Sequence, residues 1–420
     1  MSMQLQKTSS TAWLVVGLLM PVALLNYLDR QMLASMQSSV MASIPSLGEA
    51  ANREEMWGFM LGQFKWVYAV FSLIGGYVAD RSSRRVTICS SLFVWSAVTW
   101  WTGQVTTYNE LLLARSLMGI SEAFYIPAAL ALIADHHSAR TRSRAVGLHQ
   151  IAIYLGIIGG GFGGYVAADP DLGWRAAFTS CGILGMLYAV PVLLFVRDAK
   201  QKDHEGVPYH SSPVASVREL FTNFSFILLV LYFTLPAMAG WVVRDWMPGI
   251  LRTQFDLGQG EAGVAATLPW QLSAIVGVLL GGWLSDRRSR TNDRGRTQCS
   301  AFGMSLIVLA ILGMGNASTL SFALAFLMLF GLGWGFFDCN NMPILSQLVR
   351  PQLRATGYGV MNFFSISVGG LADWGFGRLR DQHVPLSVTF GGFAALAMFS
   401  VILVLLIRPT PKTVRQEDNQ

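Results

Sequence analysis

Apolar stretches of membrane-spanning length follow one another along almost the whole chain, and short polar breaks separate them. A helix that crosses a bilayer needs about 20 apolar residues, and only helices or closed barrels satisfy their backbone groups in lipid. No run shows the alternating pattern, roughly ten residues long, of a barrel strand. The pattern therefore predicts twelve helical spans, at 12–42, 57–79, 86–105, 109–134, 145–168, 174–196, 221–246, 261–285, 297–315, 319–346, 354–376 and 384–407.

Composition agrees with this prediction and excludes a soluble protein. Of the 420 residues, 53% are hydrophobic and 13% are charged, about half the charged fraction of a typical soluble domain. The first apolar run, from Trp13, superficially suggests a signal peptide because Lys7 precedes it. The run continues too far and has no small-residue cleavage site, so we interpret it as the first span. The four cysteines show no metal-ligand or redox spacing, and we interpret them as small core residues.

The basic residues between the spans are distributed unequally over alternate breaks. Because Lys and Arg concentrate on the cytoplasmic side, the richer side predicts the orientation. With both termini cytoplasmic, that side holds Lys7, Arg81, Arg84, Arg85, Arg140, Arg142, Arg144, Arg197, Lys200, Lys202, Arg218, Arg287, Arg288, Arg290, Arg294, Arg296, Arg350, Arg354, Arg408, Lys412 and Arg415. The other side holds Arg53, Arg175, Arg252, Arg378 and Arg380. We therefore expect an inner-membrane protein whose net charge of +6 reflects orientation and anionic membrane lipid, with no nucleic acid as partner.

The longest polar break, 198–220, predicts a cytoplasmic linker between a six-helix bundle at 1–197 and another at 221–420. An internal repeat supports this division. The second span ends LIGGYVADRSSRR at 73–85, and the eighth ends LLGGWLSDRRSRT at 279–291. Further matched positions are Glu122 with Asp338, Pro127 with Pro343 and Arg144 with Arg354. The predicted fold class is an all-α membrane protein of two pseudo-symmetric six-helix bundles.

The end of the second span carries the pattern GxxxDRxxRR, and the end of the eighth repeats its core. The residues are Gly76, Asp80, Arg81, Arg84 and Arg85 in the first copy and Gly282, Asp286 and Arg287 in the second. In this pattern the chain resembles the major facilitator superfamily, over essentially its whole length. We predict a gating role, because Gly76 allows a close helix approach while Asp80 pairs with a cation or helix end across the two halves. A solvated turn at the lipid head groups is the alternative, with more weight for the second copy.

Further motifs are similar to two groups within this superfamily. The first span contains Asn26-Tyr27-Leu28-Asp29-Arg30, the fourth places Glu122 seven residues after Arg115, and the fifth is rich in glycine. These features resemble the anion:cation symporters, which carry organic anions, and the spinster-like carriers of lysolipids. The resemblance to the symporters implies that Arg30 binds a substrate carboxylate and that Asp29 and Glu122 carry the driving proton.

Independently of any family, an ionisable side chain within a span is costly unless it faces a partner or a wet cavity. The ionisable residues that we place well inside the spans are Asp29, Arg30, Lys65, Arg115, Glu122 and Asp338, with Arg244 and Asp245 nearer the outer end of the seventh. Arg115 and Glu122 share a helix face about 10 Å apart, too far for a direct pair, so Asp29 is a possible partner of Arg115. Arg30 offers a planar fork suited to carboxylate or phosphate, and the alternative for Arg30 and Glu122 is permanent packing. Lys65 has two alternative roles: its ammonium extends toward the membrane surface, or it attracts an anion. We favour the first.

Polar groups elsewhere extend the candidate substrate site. Gln150 and Tyr154 share a face of the fifth span, and Asp338 and Asn341 lie at the repeat position of Glu122. For these groups, ordinary contact between helices is the alternative. The full set of candidate substrate-binding residues is Arg30, Tyr27, Arg115, Gln150, Tyr154, Asp338, Asn341 and Asn362. We expect no metal site, because the adjacent side chains of Asp135-His136-His137 diverge at a helix end.

These observations predict a secondary transporter that moves an organic anion, such as a sugar acid, together with protons by alternating access. The alternatives are spinster-like export of a lysolipid or other amphiphile, drug antiport, and a membrane-embedded enzyme. The enzyme is disfavoured because no GxSxG, HExxH or GxxxxGK[ST] motif occurs, and we expect no cofactor. We expect a monomer whose partners are a small organic anion, protons and membrane lipid. Because the first half holds most of the buried charges, we expect proton coupling there.

Overall fold

The structure, a computed structural model, describes residues 2–198, 213–350 and 353–408. The described residues are mainly helical and contain no strand. In chain order the helices are α1 (Ser2–Ser35), α2 (Gln37–Ser43), α3 (Pro45–Gly48), α4 (Arg53–Arg81), α5 (Arg84–Thr102), α6 (Tyr108–Glu122), α7 (Tyr125–His136), α8 (Ala139–Gly161), α9 (Gly163–Ala168), α10 (Gly173–Phe195), α11 (Pro213–Thr222), α12 (Phe224–Phe255), α13 (Gln259–Arg288), α14 (Gly295–Gly315), α15 (Leu320–Leu348), α16 (Arg354–Asp381) and α17 (Leu386–Leu406).

Every predicted span coincides with one or two of these helices. Within the described residues, nine segments are long and apolar enough to cross a membrane, and they match the first, the fourth to tenth and the twelfth predicted spans. The helices α4, α5 and α16 lie at the second, third and eleventh spans and are 29, 19 and 28 residues long. Their Trp, Ser, Thr and Gly residues lower the mean hydropathy without shortening the helix.

The helices form two compact units. The amino-terminal unit comprises Met1–Glu205 with Arg244–Thr267, and the carboxy-terminal unit comprises Gly206–Val243 with Leu268–Gln420. In the first, α1 packs along α8 and α5 along α10, and in the second, α14 packs along α15 and α17. The contacts of α5 with α10 and of α14 with α17 join the third span to the sixth and the ninth to the twelfth, as a six-helix repeat requires.

One end each of α12 and α13 is therefore part of the amino-terminal unit. The linker predicted at 198–220 stays a prediction, because its residues 199–212 lie outside the described part of the chain. Its last part belongs to α11, which was not foreseen. Leu220 on this short helix is buried, and Arg350 donates to Glu219 at 2.5 Å within the carboxy-terminal unit.

The fourth span is broken next to Glu122. Helix α6 ends at Glu122 and α7 begins at Tyr125. Pro127 explains the break, because proline has no N–H to donate to the carbonyl of Ala123 and its ring crowds that carbonyl. At the matched position of the repeat, Pro343 lies inside the uninterrupted α15. The two halves thus share a proline but differ in the backbone beside their matched acids.

Two glycines of α8 set how closely it approaches α1. A Cβ atom added at Gly156 would lie 2.3 Å from the carbonyl oxygen of Leu24, and one at Gly160 would lie 2.6 Å from that of Leu28. Both distances are shorter than any van der Waals contact. The segment Leu24–Leu28 leads directly into Asp29 and Arg30, so this contact positions the first span at its charged residues.

Gly156→Ala should therefore lower the unfolding temperature Tm by several degrees, because a backbone carbonyl cannot move aside as a side chain can. Thermal unfolding in detergent measures the effect. Gly147→Ala on the same helix is the control, since an added Cβ there meets nothing within 4 Å. Equal Tm values for the two variants would contradict the close approach of α1 and α8.

Candidate functional site

The amino-terminal unit brings together seven charged residues from predicted spans, here called the charge cluster. They are Asp29, Arg30, Lys65, Arg115, Glu122, Arg244 and Asp245. All four basic residues that the sequence places within spans belong to it. Burial of several like charges at one place is unfavourable without acids or a ligand to balance them. A concentration of this kind is typical of a binding site in a membrane protein.

At the centre of the cluster, Arg30 pairs with Glu122. Arg30 Nε donates to Glu122 Oε2 at 2.6 Å, and Nη2 contacts the same oxygen. The side chain of Arg30 is 9% exposed and that of Glu122 is fully buried. The break after α6 leaves Glu122 at a helix end that faces α1. The sequence identified both residues, but the pairing of Glu122 with Arg30 follows only from the structure.

Aromatic rings enclose the guanidinium of Arg30. Its Cζ lies 5.1 Å from the ring centre of Tyr27 and 4.9 Å from the ring centres of Phe64 and Tyr68. Phe64 also lies 4.4 Å from Cζ of Arg115. Such contacts attract cations while they exclude water, so they strengthen the electrostatic interactions of the site.

Asp29 and Arg115 complete this part of the cluster. Thr99 Oγ1 donates to Asp29 Oδ2 at 3.0 Å, while Asp29 Oδ1 has no hydrogen-bond partner among the described residues. Arg115 is 2% exposed and its Nη1 contacts Met118 Sδ at 2.8 Å. No hydrogen bond joins Asp29 to Arg115 in the described structure, but their opposite charges interact, so the pairing of Asp29 with Arg115 stays a prediction. Thr99 was not foreseen, since a threonine in a span gives no signal in the sequence.

Lys65 forms a second buried ion pair, with Asp245 of α12. Its Nζ donates to Asp245 Oδ2 at 2.5 Å, and the side chains are 4% and 11% exposed. The preference for an ammonium that reaches the membrane surface was therefore wrong. An acid from a distant part of the chain holds Lys65 in the interior, and sequence alone gives no sign of that packing.

Arg244 lies beside this pair and next to Tyr27. Its Cζ is 5.2 Å from the ring centre of Tyr27, and its backbone carbonyl accepts a hydrogen bond from Gln31 Nε2 at 3.3 Å. Ser38 and Ser39 both donate to Gln259 Oε1, at 2.6 and 2.8 Å. These contacts fix residues 244–267 against the first span within the amino-terminal unit.

The other predicted substrate-binding residues lie elsewhere. Gln150 and Tyr154 are half-buried on α8, and Tyr154 packs against the apolar core of the amino-terminal unit. In the carboxy-terminal unit, Asn341 is 2% exposed, Asp338 is exposed and Asn362 is half-buried. Their role in substrate binding stays a prediction.

The structure describes only some residues of the predicted gating motif. Gly76 lies in α4, where a Cβ would meet nothing within 4 Å, and the side chains of Asp80 and Arg81 lie outside the described part. Arg84 contacts Asp135 of α7 and donates to Ala131 O at 3.2 Å. Asp198 accepts from Arg85 N at 2.9 Å, which places a carboxylate at the amino end of α5.

In the second copy of this motif, Arg296 of α14 donates to Asp286 at 2.6 Å. Arg287 lies over the ring of Trp283, with its Cζ 5.6 Å from the ring centre. These contacts are within single units, so gating stays a prediction for both copies.

The sequence interpretation omitted one buried acid. Asp373 of α16 is fully buried in the carboxy-terminal unit, where it has interactions. It lies within the predicted eleventh span, so the rule that selected Asp29 could also have selected Asp373.

Known transporters are among the proteins that are similar to the chain. The Major Facilitator Superfamily model matches residues 19–372. An MFS-type efflux pump of Mycolicibacterium smegmatis is 26% identical and aligns over 88% of this chain and 85% of that protein. A probable L-galactonate transporter of Escherichia coli is 25% identical over 88% of this chain and 83% of that protein. Protein spinster homolog 1 of Bos taurus is 30% identical over 76% of this chain and 61% of that protein.

A solved structure shares the fold. A bacterial homolog of the human lysosomal transporter spinster, in an inward-facing and unoccupied conformation, gives a TM-score of 0.74 at 19% identity, over 94% of this chain and 95% of that one. The family model covers most of the chain, and the helical architecture agrees with it. The chain therefore belongs to the major facilitator superfamily, as a multi-pass integral membrane transporter with the all-helical fold predicted from its sequence.

Proposed function

We propose that the chain is a proton-coupled symporter of an organic anion, a sugar acid or a similar carboxylate. The observation that carries the proposal is the buried contact of Arg30 with Glu122. A substrate carboxylate and the Glu122 carboxylate are chemically equivalent ligands for the Arg30 fork. They therefore compete for it.

This competition supplies the coupling. While Glu122 is ionised, it occupies Arg30, and its displacement by a substrate would leave a buried carboxylate without a partner. Protonation of Glu122 removes its charge and leaves Arg30 available to the substrate. Proton and substrate binding are then mutually favourable, because each stabilises the same state of the site. Asp29 is the second candidate carrier, since its Oδ1 has no partner among the described residues.

The relatives support the substrate class to different degrees. The probable L-galactonate transporter of Escherichia coli favours a sugar acid, and the resemblance to spinster-like carriers favours an amphiphile. The charge cluster supports a ligand with an acidic group, because buried cations attract a carboxylate and add nothing to the binding of an apolar chain. The same proposal places the chain in the inner membrane as a monomer, with both termini cytoplasmic and a linker at 198–220 between its halves.

Arg30→Ala should abolish binding, because it removes both the charge and the fork. Substrate-induced thermal stabilisation across sugar acids, sialic acid and lysolipids identifies a ligand for the unaltered protein. The apparent affinity for that ligand should fall by more than about 100-fold in Arg30→Ala, since hydrogen bonds to charged groups contribute about 1.5–3 kcal/mol each.

Arg252→Ala is the matched control, because Arg252 is exposed on α12. Its affinity should equal that of the unaltered protein. Stabilisation by a lysolipid without stabilisation by any organic acid would replace the proposed function by the lipid alternative.

A further inference from the structure

An apolar groove lies on the surface of the amino-terminal unit, between α1, α8 and α10. Its volume is about 480 Å³, and the residues that line it include Gly17, Leu155, Leu184 and Tyr188. Leu155 is 49% exposed and Leu184 is 56% exposed, so the groove is open to the outside of the unit. All three helices are long and apolar enough to cross a membrane. The groove is therefore open to the hydrocarbon of the bilayer.

The lining of this groove favours a hydrocarbon chain over a polar solute. Within the described part of the chain, no charged side chain lines it. The hydroxyl of Tyr188 donates to Leu18 O at 3.0 Å, so the polar end of this side chain is satisfied by α1. A Cβ atom added at Gly17 would meet nothing within 4 Å, which shows the open space beside α1. An exposed apolar concavity of this kind is typical of a site for an apolar ligand.

Exposed arginines lie beyond one end of the groove. Arg144 is near the start of α8, and Arg197 directly follows α10. A short loop connects α9 to α10, so the start of α8 and the end of α10 lie at the same end of the unit. Arg144 precedes Ala152, which lines the groove, by about two turns, or about 12 Å. The acid beside Arg197 is Asp198, and it accepts a hydrogen bond from Arg85 N.

This spacing matches the dimensions of a phospholipid. The polar head-group region of each leaflet is about 5–8 Å thick, and the hydrocarbon lies beneath it. With Arg144 and Arg197 at the level of the head groups, a groove about 12 Å away lies within the hydrocarbon. Basic residues at that level attract anionic lipids. A second copy of this chain fits less well, because in one membrane it would bring the same cations to the same end.

We propose that the groove binds the acyl chain of an anionic phospholipid whose head group contacts Arg144 and Arg197. The lipid stays bound at the surface of the transporter and is not the transported solute, so this inference goes beyond the proposed function and does not depend on it. Leu25 also lines the groove, one turn before Asp29. A bound acyl chain therefore packs against α1 just before its charged residues.

Two lipids with the same acyl chains test the inference. Phosphatidylglycerol is anionic and phosphatidylcholine carries no net charge, and each is added to the full chain in detergent. Thermal unfolding gives the apparent affinity, and native mass spectra give the number of bound lipids and of chains. Phosphatidylglycerol should raise the Tm and bind roughly tenfold more tightly than phosphatidylcholine, since two cations contribute to its binding.

Gly17→Leu should remove the response to phosphatidylglycerol, because the leucine side chain occupies the groove. The substitution itself is tolerated, since the space beside Gly17 is open. Gly392→Leu on α17 is the matched control, because Gly392 is exposed and an added Cβ there also meets nothing within 4 Å. This control should keep the response of the unaltered protein.

The double variant Arg144→Gln with Arg197→Gln should bind phosphatidylglycerol only as tightly as phosphatidylcholine. Arg252→Gln with Arg378→Gln is the control for net charge, since both arginines are exposed on other helices, and it should keep the preference. Equal affinity of the unaltered protein for the two lipids, or a full response in Gly17→Leu, overturns the inference. A dimer that Gly17→Leu dissociates would also overturn it, because a second copy of the chain would then cover the groove.

Discussion

Glu122→Gln is expected to abolish the accumulation of substrate driven by a pH gradient while substrate exchange continues. Glutamine has nearly the shape of a protonated glutamate but cannot release a proton, so the variant mimics one protonation state at every pH. Arg30 then stays available to the substrate, because the neutral amide does not compete as the carboxylate does. Binding and exchange are kept, but no proton can be returned.

The measurement uses proteoliposomes and the ligand identified by thermal stabilisation. Under an imposed pH gradient, the ratio of internal to external substrate should fall to roughly one in Glu122→Gln, as expected when coupling to the gradient is lost. Exchange between equal pools should proceed and lose its pH dependence. Asp171→Asn is the control, because Asp171 is an exposed acid in the loop before α10. Concentrative uptake by Glu122→Gln at the level of the unaltered protein would remove Glu122 from the proton path.

Asp29→Asn separates the roles of the two acids within this experiment. If Glu122 alone carries the proton, Asp29→Asn keeps accumulation in proportion to its remaining binding. If Asp29 carries the proton instead, Asp29→Asn loses accumulation and keeps exchange, and Glu122→Gln keeps accumulation. The hydrogen bond from Thr99 is kept in Asp29→Asn, because Thr99 can donate to the amide oxygen much as it does to the carboxylate. Either result assigns the coupling to one side chain.

The sequence predicted the spans well and the contacts within the site less well, and the reason is physical. Lipid forces every span to be helical and apolar, so the period and length of the apolar runs determine the elements. The same cost of burying charge singled out Arg30, Arg115 and Glu122 as functional residues. It could not show which charge meets which, since Arg30 and Glu122 come from different helices.

Two local features illustrate the limit. The break at Pro127 could be anticipated from the residue, yet Pro343 at the matched position does not break α15. For Lys65, snorkelling was the favoured expectation, because long basic side chains usually reach the membrane surface. The position of the Lys65 side chain depended on Asp245, which is 180 residues away along the chain. Asp245 reaches Lys65 because this part of α12 packs into the amino-terminal unit, and the sequence alone does not show that packing.

The pair of Lys65 and Asp245 should be strongly coupled in stability. Asp245→Asn leaves the ammonium of Lys65 buried without its acid. Lys65→Met leaves the carboxylate of Asp245 with the more distant Arg244, whose Nε is 3.8 Å from Oδ1. Loss of one partner of a buried pair costs about 3–5 kcal/mol, whereas replacement of both by neutral groups costs far less. The double variant Lys65→Met with Asp245→Asn should therefore be more stable than either single variant.

Thermal unfolding of the four proteins in detergent measures this coupling as a double-mutant cycle. The pair of Arg350 and Glu219 in the carboxy-terminal unit is the matched control, because its contact is also 2.5 Å long but its side chains are 44% and 45% exposed. Solvent screens such a pair, so its cycle should give a coupling energy of at most about 1 kcal/mol.

Two results would show that Lys65 and Asp245 are not coupled in the folded chain. In the first, both single variants keep the Tm of the unaltered protein. In the second, the Tm of the double variant falls by as much as the Tm values of the two single variants together. A rescued double variant would show that the buried pair joins α4 to α12 by charge. It would also leave Arg30, Arg115 and Arg244 as the basic residues of the charge cluster.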